Sequence, residues 1–166
     1  MSGRADAAAC DGRGRRVGRA PRGPVRALFW RAMSTAEPST DERDFEQRYG
    51  LVVIELGDGQ ARGEVAVRDE LKQPAGLVHG GVYAAIAESL ATAGTDAAVI
   101  ADGNVATGFS TSTSFLRPIT AGTIHASARA RHRGRTTWVW EVELSDDAGR
   151  VCVLTRATVT VRPARA

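Results

Sequence analysis

The sequence predicts an α+β fold in which one curved antiparallel sheet wraps around one long central helix. Three observations carry this. Gly81 to about Ile100 is alanine-rich and small, with apolar positions almost all round, so it forms a helix buried on every side and not on one stripe alone. After Gly103 the apolar period changes from helical to two and stays there to the last strand. One small-surfaced helix and one sheet have only each other to bury against, so the sheet must curl around the helix.

In chain order, residues 1–38 mix Gly, Arg, Ala, Ser and Pro without apolar periodicity and read as a disordered Arg-rich leader. The leader has no apolar segment long enough for a secretory signal. The simplest reading is a dispensable extension with Met33-Ser34 as an alternative start; an organelle-type leader or an RNA-binding arm are the other readings. Residues 39–166 read as one domain, long enough for a single core. Ser39-Thr40-Asp41-Glu42 fits a capping box opening a short helix over Asp41 to Tyr49, which Gly50 stops. Leu51 to Leu56 and Ala61 to Val67 are strand-like runs joined by the hairpin signal Gly57-Asp58-Gly59. Gly76 to Gly81 is a glycine-bracketed loop before the long helix.

Beyond the helix, Val105 to Leu116 is Ser/Thr-rich and runs into Arg117-Pro118. In Thr123 to Arg133, Ile124, Ala126, Ala128 and Ala130 share one face, while His125, Ser127, Arg129, Arg131 and Arg133 form a solvated one. Trp138, Trp140, Val142 and Leu144 alternate with Val139, Glu141 and Glu143, which puts both tryptophans in the core. Asp146-Asp147-Ala148-Gly149 turns the chain into a last strand over Arg150 to Val161. The expected order is two strands, the long helix, then three or so longer strands.

Charge narrows the function. The chain has 22 basic and 19 acidic residues, a net +3. Eight arginines against Asp6 and Asp11 give residues 1–31 a charge of +6, which leaves −3 on the remaining 135. A mildly acidic folded part with few aromatics does not fit a nucleic-acid reader. Gly76 to Ile100 is broken by His79, Glu88 and Asp96 and makes a poor membrane span. Two cysteines, Cys10 and Cys152, form neither a disulfide framework nor a metal motif, and the histidines 79, 125 and 132 are not at metal spacing. A soluble, cytoplasmic protein without a metal is expected.

Two features carry chemistry. Glu88 lies among apolar residues on the long helix, where a carboxylate is costly unless paired, hydrogen-bonded or kept for function. Thr92 is one turn further along the same face. An exposed stripe on the helix is the competing reading. At the helix start, Val78-His79-Gly80-Gly81 offers glycines that let a ligand approach backbone N–H groups at the positive end of the helix dipole. An ordinary tight turn is the alternative there. Gly80 and Glu88 are eight residues apart, roughly 12 Å along a helix axis. If both act on one bond, the site has to be shared by two subunits of a symmetric dimer.

Together these segments resemble the hotdog-fold thioesterases, and among them the arthrobacter-type 4-hydroxybenzoyl-CoA thioesterases of the PaaI-like group. The likeness spans about Phe45 to Arg165. It rests on Gln73-x5-His79-Gly80-Gly81, on Glu88 and Thr92, on Thr113-Ser114-Phe115-Leu116-Arg117-Pro118, on Gly134-Arg135-Thr136-Thr137-Trp138, on Asp146 to Arg150, and on Val161 to Arg165. The resemblance implies an acyl-CoA thioesterase for aromatic or arylacetyl groups, 4-hydroxybenzoyl-CoA first among them. It implies Glu88 as nucleophile or general base and the Gly80 N–H as the group polarising the thioester oxygen. Gln73 and His79 would support the carbonyl and the acid-base network, and Thr92 would position the nucleophile or water. Arg117, Thr136 and Arg165 match positions that bind the nucleotide and phosphates of CoA; Arg135 stands where the family has serine. No cofactor is implied beyond the CoA of the substrate, and the assembly implied is a dimer with shared sites, paired into a tetramer. A non-catalytic acyl-CoA-binding or sensing protein of the same fold would keep the arginines and Gly80 without needing Glu88.

Overall fold

The computed structural model describes residues 45–164; the leader, the capping box at 39–42 and Arg165 lie outside them. The elements are α1 (Phe45–Tyr49), β1 (Val52–Gly57), β2 (Gln60–Ala66), α2 (Gly80–Val99), β3 (Asn104–Phe115), β4 (Thr123–Arg133), β5 (Thr137–Ser145) and β6 (Val151–Pro163). All six strands form one antiparallel sheet in the order β1-β2-β4-β5-β6-β3. Four strands, and not three, follow the helix. The extra one is β3, whose Ser/Thr-rich sequence makes a weak strand signal because it is an edge strand covered by the sheet on one side only.

The period-two pattern of β4 to β6 decides which face meets the helix. Ile124, Ala126 and Ala128, then Trp138, Trp140, Val142 and Leu144, then Ala157, Val159 and Val161 are buried, and α2 meets them with Tyr83, Ile86, Ala87, Leu90, Ala91 and Val99. Small residues on α2 are required by the width of the indoles. A Cβ at Gly94 would stand 2.6 Å from the Trp140 ring. The Trp140 indole N–H donates to Thr95 Oγ1 at 2.9 Å, and the Thr95 hydroxyl donates to the Ala91 carbonyl at 2.8 Å, so both of these buried donors are satisfied. By length and composition this helix could cross a membrane, but half of its apolar window is buried inside the sheet, as a core helix requires.

Hydrogen bonds fix α2 at both ends. Before it, the Val78 N–H donates to the Ile119 carbonyl (2.9 Å) and the His79 N–H to the Leu71 carbonyl (2.8 Å). After it, Gly103 at φ 72° turns the chain back, and the Ala106 N–H of β3 donates to Asp96 Oδ1 at 2.5 Å. On the flank, Tyr49 of α1 donates to Ser89 Oγ (2.8 Å) and the Ser89 hydroxyl to Glu46 (3.0 Å). Arg129 and Arg131 of β4 are solvated as expected, with Arg131 paired to Glu141, but the irregularity between Ala130 and His132 turns Arg133 to the tryptophan face, opposite Trp138 and with its guanidinium 5.4 Å from the centre of that ring.

On the outer face, His125 joins three segments. Nδ1 is 3.0 Å from Glu64 Oε1 on β2, Nε2 is 3.0 Å from Asp147 Oδ1 in the β5–β6 turn, and Asp147 Oδ2 accepts the Thr123 N–H. The Asp147 hydrogen bond, against desolvation and with Glu64 adding to it, lifts the imidazole pKa above its ordinary 6.5. A folded-state pKa above the unfolded one means stabilisation that is complete below 6.5 and lost as pH rises through the folded value. Thermal unfolding between about pH 6 and 8 should therefore show a small decline in midpoint that His125→Gln removes. Identical pH profiles for the two proteins would refute this.

Candidate active site

The start of α2 is built around His79. With φ −66° and ψ 135° it takes the extended N-cap position, and its Nδ1 accepts the Gly81 N–H at 2.9 Å. In the neutral ring, accepting at Nδ1 leaves the proton on Nε2, which makes it an outward donor. The Gly80 N–H has no hydrogen-bond partner among the described residues and stands at the positive end of the helix. A Cβ there would come within 2.9 Å of the tip of the Phe115 ring, so glycine lets that ring lie over the helix start.

In front of Gly80 lies a cavity of about 520 Å³, lined by Gln73, Tyr83, Phe115 and Arg117 together with Leu77, Val78, Leu116 and Pro118. This is the size and mixture of a small-molecule site, apolar walls with a few polar groups. Gln73 is presented by a tight loop closed by its own N–H to the Leu77 carbonyl (2.9 Å). Arg117 is anchored by Nη1 on the Val151 carbonyl (2.6 Å), while its backbone N–H and that of Leu116 share the Cys152 carbonyl. Tyr83 is 3% exposed and its ring packs 6.1 Å from that of Phe115. Burial raises its pKa; the Ile119 backbone N–H, as a donor toward the phenol oxygen, counters this, yet the hydroxyl makes no hydrogen bond of ordinary geometry. Tyr83 and Phe115 were not singled out by sequence reasoning. The signal for Tyr83 was its place three residues after Gly80, on the same helix face.

Glu88 is half-buried, and an exposed stripe does not describe it. The Thr92 hydroxyl donates to its Oε1 at 3.0 Å. The same carboxylate lies against Gly108 of β3, where a Cβ would stand 2.1 Å from Oε1. Neither Glu88 nor Thr92 lines the cavity at Gly80. One chain thus holds two separated halves: Gln73, His79, Gly80 and Arg117 at the start of α2, and Glu88 with Thr92 two turns along it. Arg135 and Thr136 are exposed in the β4–β5 turn. The Thr136 carbonyl accepts the Val161 N–H, whereas Arg117 is tied to Val151 and Cys152, roughly 30 Å away along β6. Within one chain, Arg117 and the Arg135–Thr136 pair do not meet. Among the described residues no group of three His, Cys, Asp or Glu side chains is placed to hold a metal ion.

Between the two halves runs β3, at the edge of the sheet. None of its twelve residues is charged and none is proline. Natural edges are often guarded by such residues or by bulges; β3 has no charged or proline guard of its own, only the irregularity between Gly108 and Ser110.

Residues 75–153 match the thioesterase superfamily. The chain is 38% identical over 109 residues to a Mycobacterium tuberculosis protein designated an esterase, covering 64% of this chain and 78% of that one. Its solved structure superposes with a TM-score of 0.70 at 36% identity, covering 74% of this chain and 98% of the other. The proofreading thioesterase EntH of Cronobacter sakazakii is 30% identical over 138 residues (81% and 98% of the two chains). A 1,4-dihydroxy-2-naphthoyl-CoA hydrolase of Listeria monocytogenes is 28% identical over 120 residues (72% and 97%).

The contact between Glu88 and Gly108 makes a direct prediction. Because the group in the way is the end of a flexible side chain, Gly108→Ala should leave the unfolding midpoint close to wild type while displacing the carboxylate from Thr92. A crystal structure of the variant with the Glu88–Thr92 hydrogen bond intact would contradict it.

Proposed function

Since the chain belongs to the thioesterase superfamily, with its hotdog fold, we propose that it hydrolyses aromatic acyl-CoA thioesters at sites shared between two copies of the chain. The observation that carries this is the separation of the Gly80 half from the Glu88 half, with an uncharged strand edge between them. Pairing β3 with β3 of a second copy reverses the strand direction across the two-fold, so the Gly80 end of one copy lies beside the Glu88 region of the other.

In such a site the thioester oxygen accepts the Gly80 N–H, whose pull grows as charge develops on that oxygen. Glu88 of the second copy, oriented by Thr92, either attacks the carbonyl carbon or takes a proton from the water that does. If Glu88 acts as base, the tetrahedral species collapses, the C–S bond breaks, and the proton taken from water passes to the CoA sulfur, leaving the free acid and the thiol; if Glu88 attacks, collapse expels the CoA thiolate and leaves an acyl anhydride on Glu88, which a water molecule hydrolyses to the free acid and the carboxylate, its proton going to the thiolate. Gln73 and the Nε2–H of His79 supply donors beside the carbonyl. Arg117 from one copy, with Arg135, Thr136 and Arg165 of the other, binds the nucleotide and phosphates of CoA; the reversal of strand direction is what carries these groups toward each other. The dimers then pair into a tetramer.

An aromatic acyl group suits the apolar walls formed by Leu77, Phe115 and Leu116, and the Listeria relative is named for an aromatic acyl-CoA. 4-Hydroxybenzoyl-CoA is the first substrate to try, with benzoyl- and phenylacetyl-CoA beside it.

Thiol release from this panel tests the proposal. Glu88→Ala should lower kcat by about 100-fold or more, the range expected for a lost general base or nucleophile; unchanged turnover would rule out the assigned role. Wild-type protein that binds these esters without cleaving them would be an acyl-CoA-binding module instead. Mixing Gly80→Val with Glu88→Ala chains should restore about one quarter of wild-type activity, since half the dimers then carry one intact site of two. No recovery in verified mixed dimers would exclude the shared site.

A further inference from the structure

We propose that Asp96 is a stop on the open β3 edge, fixing the register in which two copies pair and thereby aligning Gly80 of one with Glu88 of the other. The inference rests on the shared-site reading and concerns a positioning residue, since Asp96 is two turns beyond Glu88 and touches no part of the cavity.

The argument begins with backbone direction. In an antiparallel ladder, opposite residues either exchange both hydrogen bonds or turn both sets of groups away. Val161 of β6 directs its N–H to the Thr136 carbonyl, away from β3. Ala106, opposite Val161, therefore turns its N–H to the open edge. Asp96 Oδ1 occupies that N–H at 2.5 Å. A strand added to this edge can find no donor at Ala106 and meets the Asp96 side chain in its path. Beyond that point the edge from Gly108 to Phe115 carries no such side-chain cap among the described residues.

The length of that free segment then selects a register. The midpoint of Gly108 to Phe115 lies between Thr111 and Ser112, and with the two-fold at Ser112 the residues from Phe109 to Phe115 overlap a copy of themselves. Thr111 then faces the partner's Thr113, and Phe115 faces the bulged stretch at Gly108 and Phe109, where the β3–β6 register shifts. Phe115 is the residue that covers Gly80, and Gly108 is the residue against Glu88. This overlap of the free edge thus brings the two halves of the site together with no further adjustment. A slip toward Ala106 would separate them, and it is this slip that Asp96 obstructs.

Cross-linking reads the register without relying on catalysis. In a Cys10→Ser background, with Cys152 buried, Ser112→Cys should form a covalent dimer on mild oxidation, because opposite residues of a non-bonded pair lie about 4.5 Å apart, within disulfide reach. Ser110→Cys should not, since its two copies would be about 13 Å apart. Asp96→Ala should reduce cross-linking at position 112 and raise it at 110, while Asp96→Asn, which keeps an acceptor oxygen, should retain the wild-type pattern. Turnover of Asp96→Ala should fall with the loss of the position-112 cross-link and recover when that disulfide locks the register, a rescue that a merely destabilised helix would not show. If Asp96→Ala does not fold, Asp96→Ser, too short to reach the edge, takes its place. An unaltered cross-linking pattern in the folded variant overturns the proposal, as does ready cross-linking of Ser110→Cys in otherwise wild-type protein. If no thioester is hydrolysed, the catalytic reading fails while the cross-links still decide the role of Asp96.

Discussion

The position of α2 within the sheet is set where Gly94 meets Trp140. The indole fills the concave side so fully that a single methyl on the helix would collide with it, and its N–H is tied to the next residue, Thr95. Close packing against a rigid ring leaves the helix little freedom to slide or rotate. Everything that follows depends on this. With the helix held at one height, Gly80 emerges beneath Phe115, Glu88 against Gly108 and Asp96 beside Ala106, so that its successive turns read out along β3 in reverse order.

That alignment explains a division that would otherwise look wasteful. In the proposed mechanism a helix start supplies a polarising N–H and a mid-helix carboxylate a base or nucleophile, and rigid α-helical geometry forbids them from meeting in one chain. The loop from Leu71 to His79 and the segment at Arg117 to Ile119 are cross-braced around the first half, while Thr92 and the absence of a side chain at Gly108 define the second. In the proposed dimer, the uncharged edge of β3 is the surface on which the two halves are completed.

Much of this was legible in the residues. The alternation of Trp138, Trp140, Val142 and Leu144 placed β5 and its buried face, and the small residues of α2 announced a helix enclosed by its sheet. Glu88 stood out because a carboxylate among alanines needs a reason, and the eight-residue spacing from Gly80 already forbade a site within one chain. Other parts had no signature. Asp96 looked like one more acidic residue, because its partner is a backbone N–H that only the fold brings near. Phe115 gave no sign that it would cover Gly80, since that contact joins a strand end to a helix start. Arg117 and Thr136 looked like members of one cluster, and only the antiparallel course of β6 revealed how far apart one chain keeps them.

The inner wall of the cavity, Val78 and Tyr83, belongs to the core, whereas its outer wall does not. Phe115 and Leu116 are more than half exposed, and Leu77 sits in a surface loop, so their side chains contribute little to the core that Trp140, Leu90 and Ile124 form. Changes in cavity shape confined to this outer wall therefore fall on residues whose replacement costs the fold little. Evolution can retune which acyl group such a scaffold accepts almost independently of its stability, and a lineage could diversify its substrates while Gly94 and Trp140 stayed fixed.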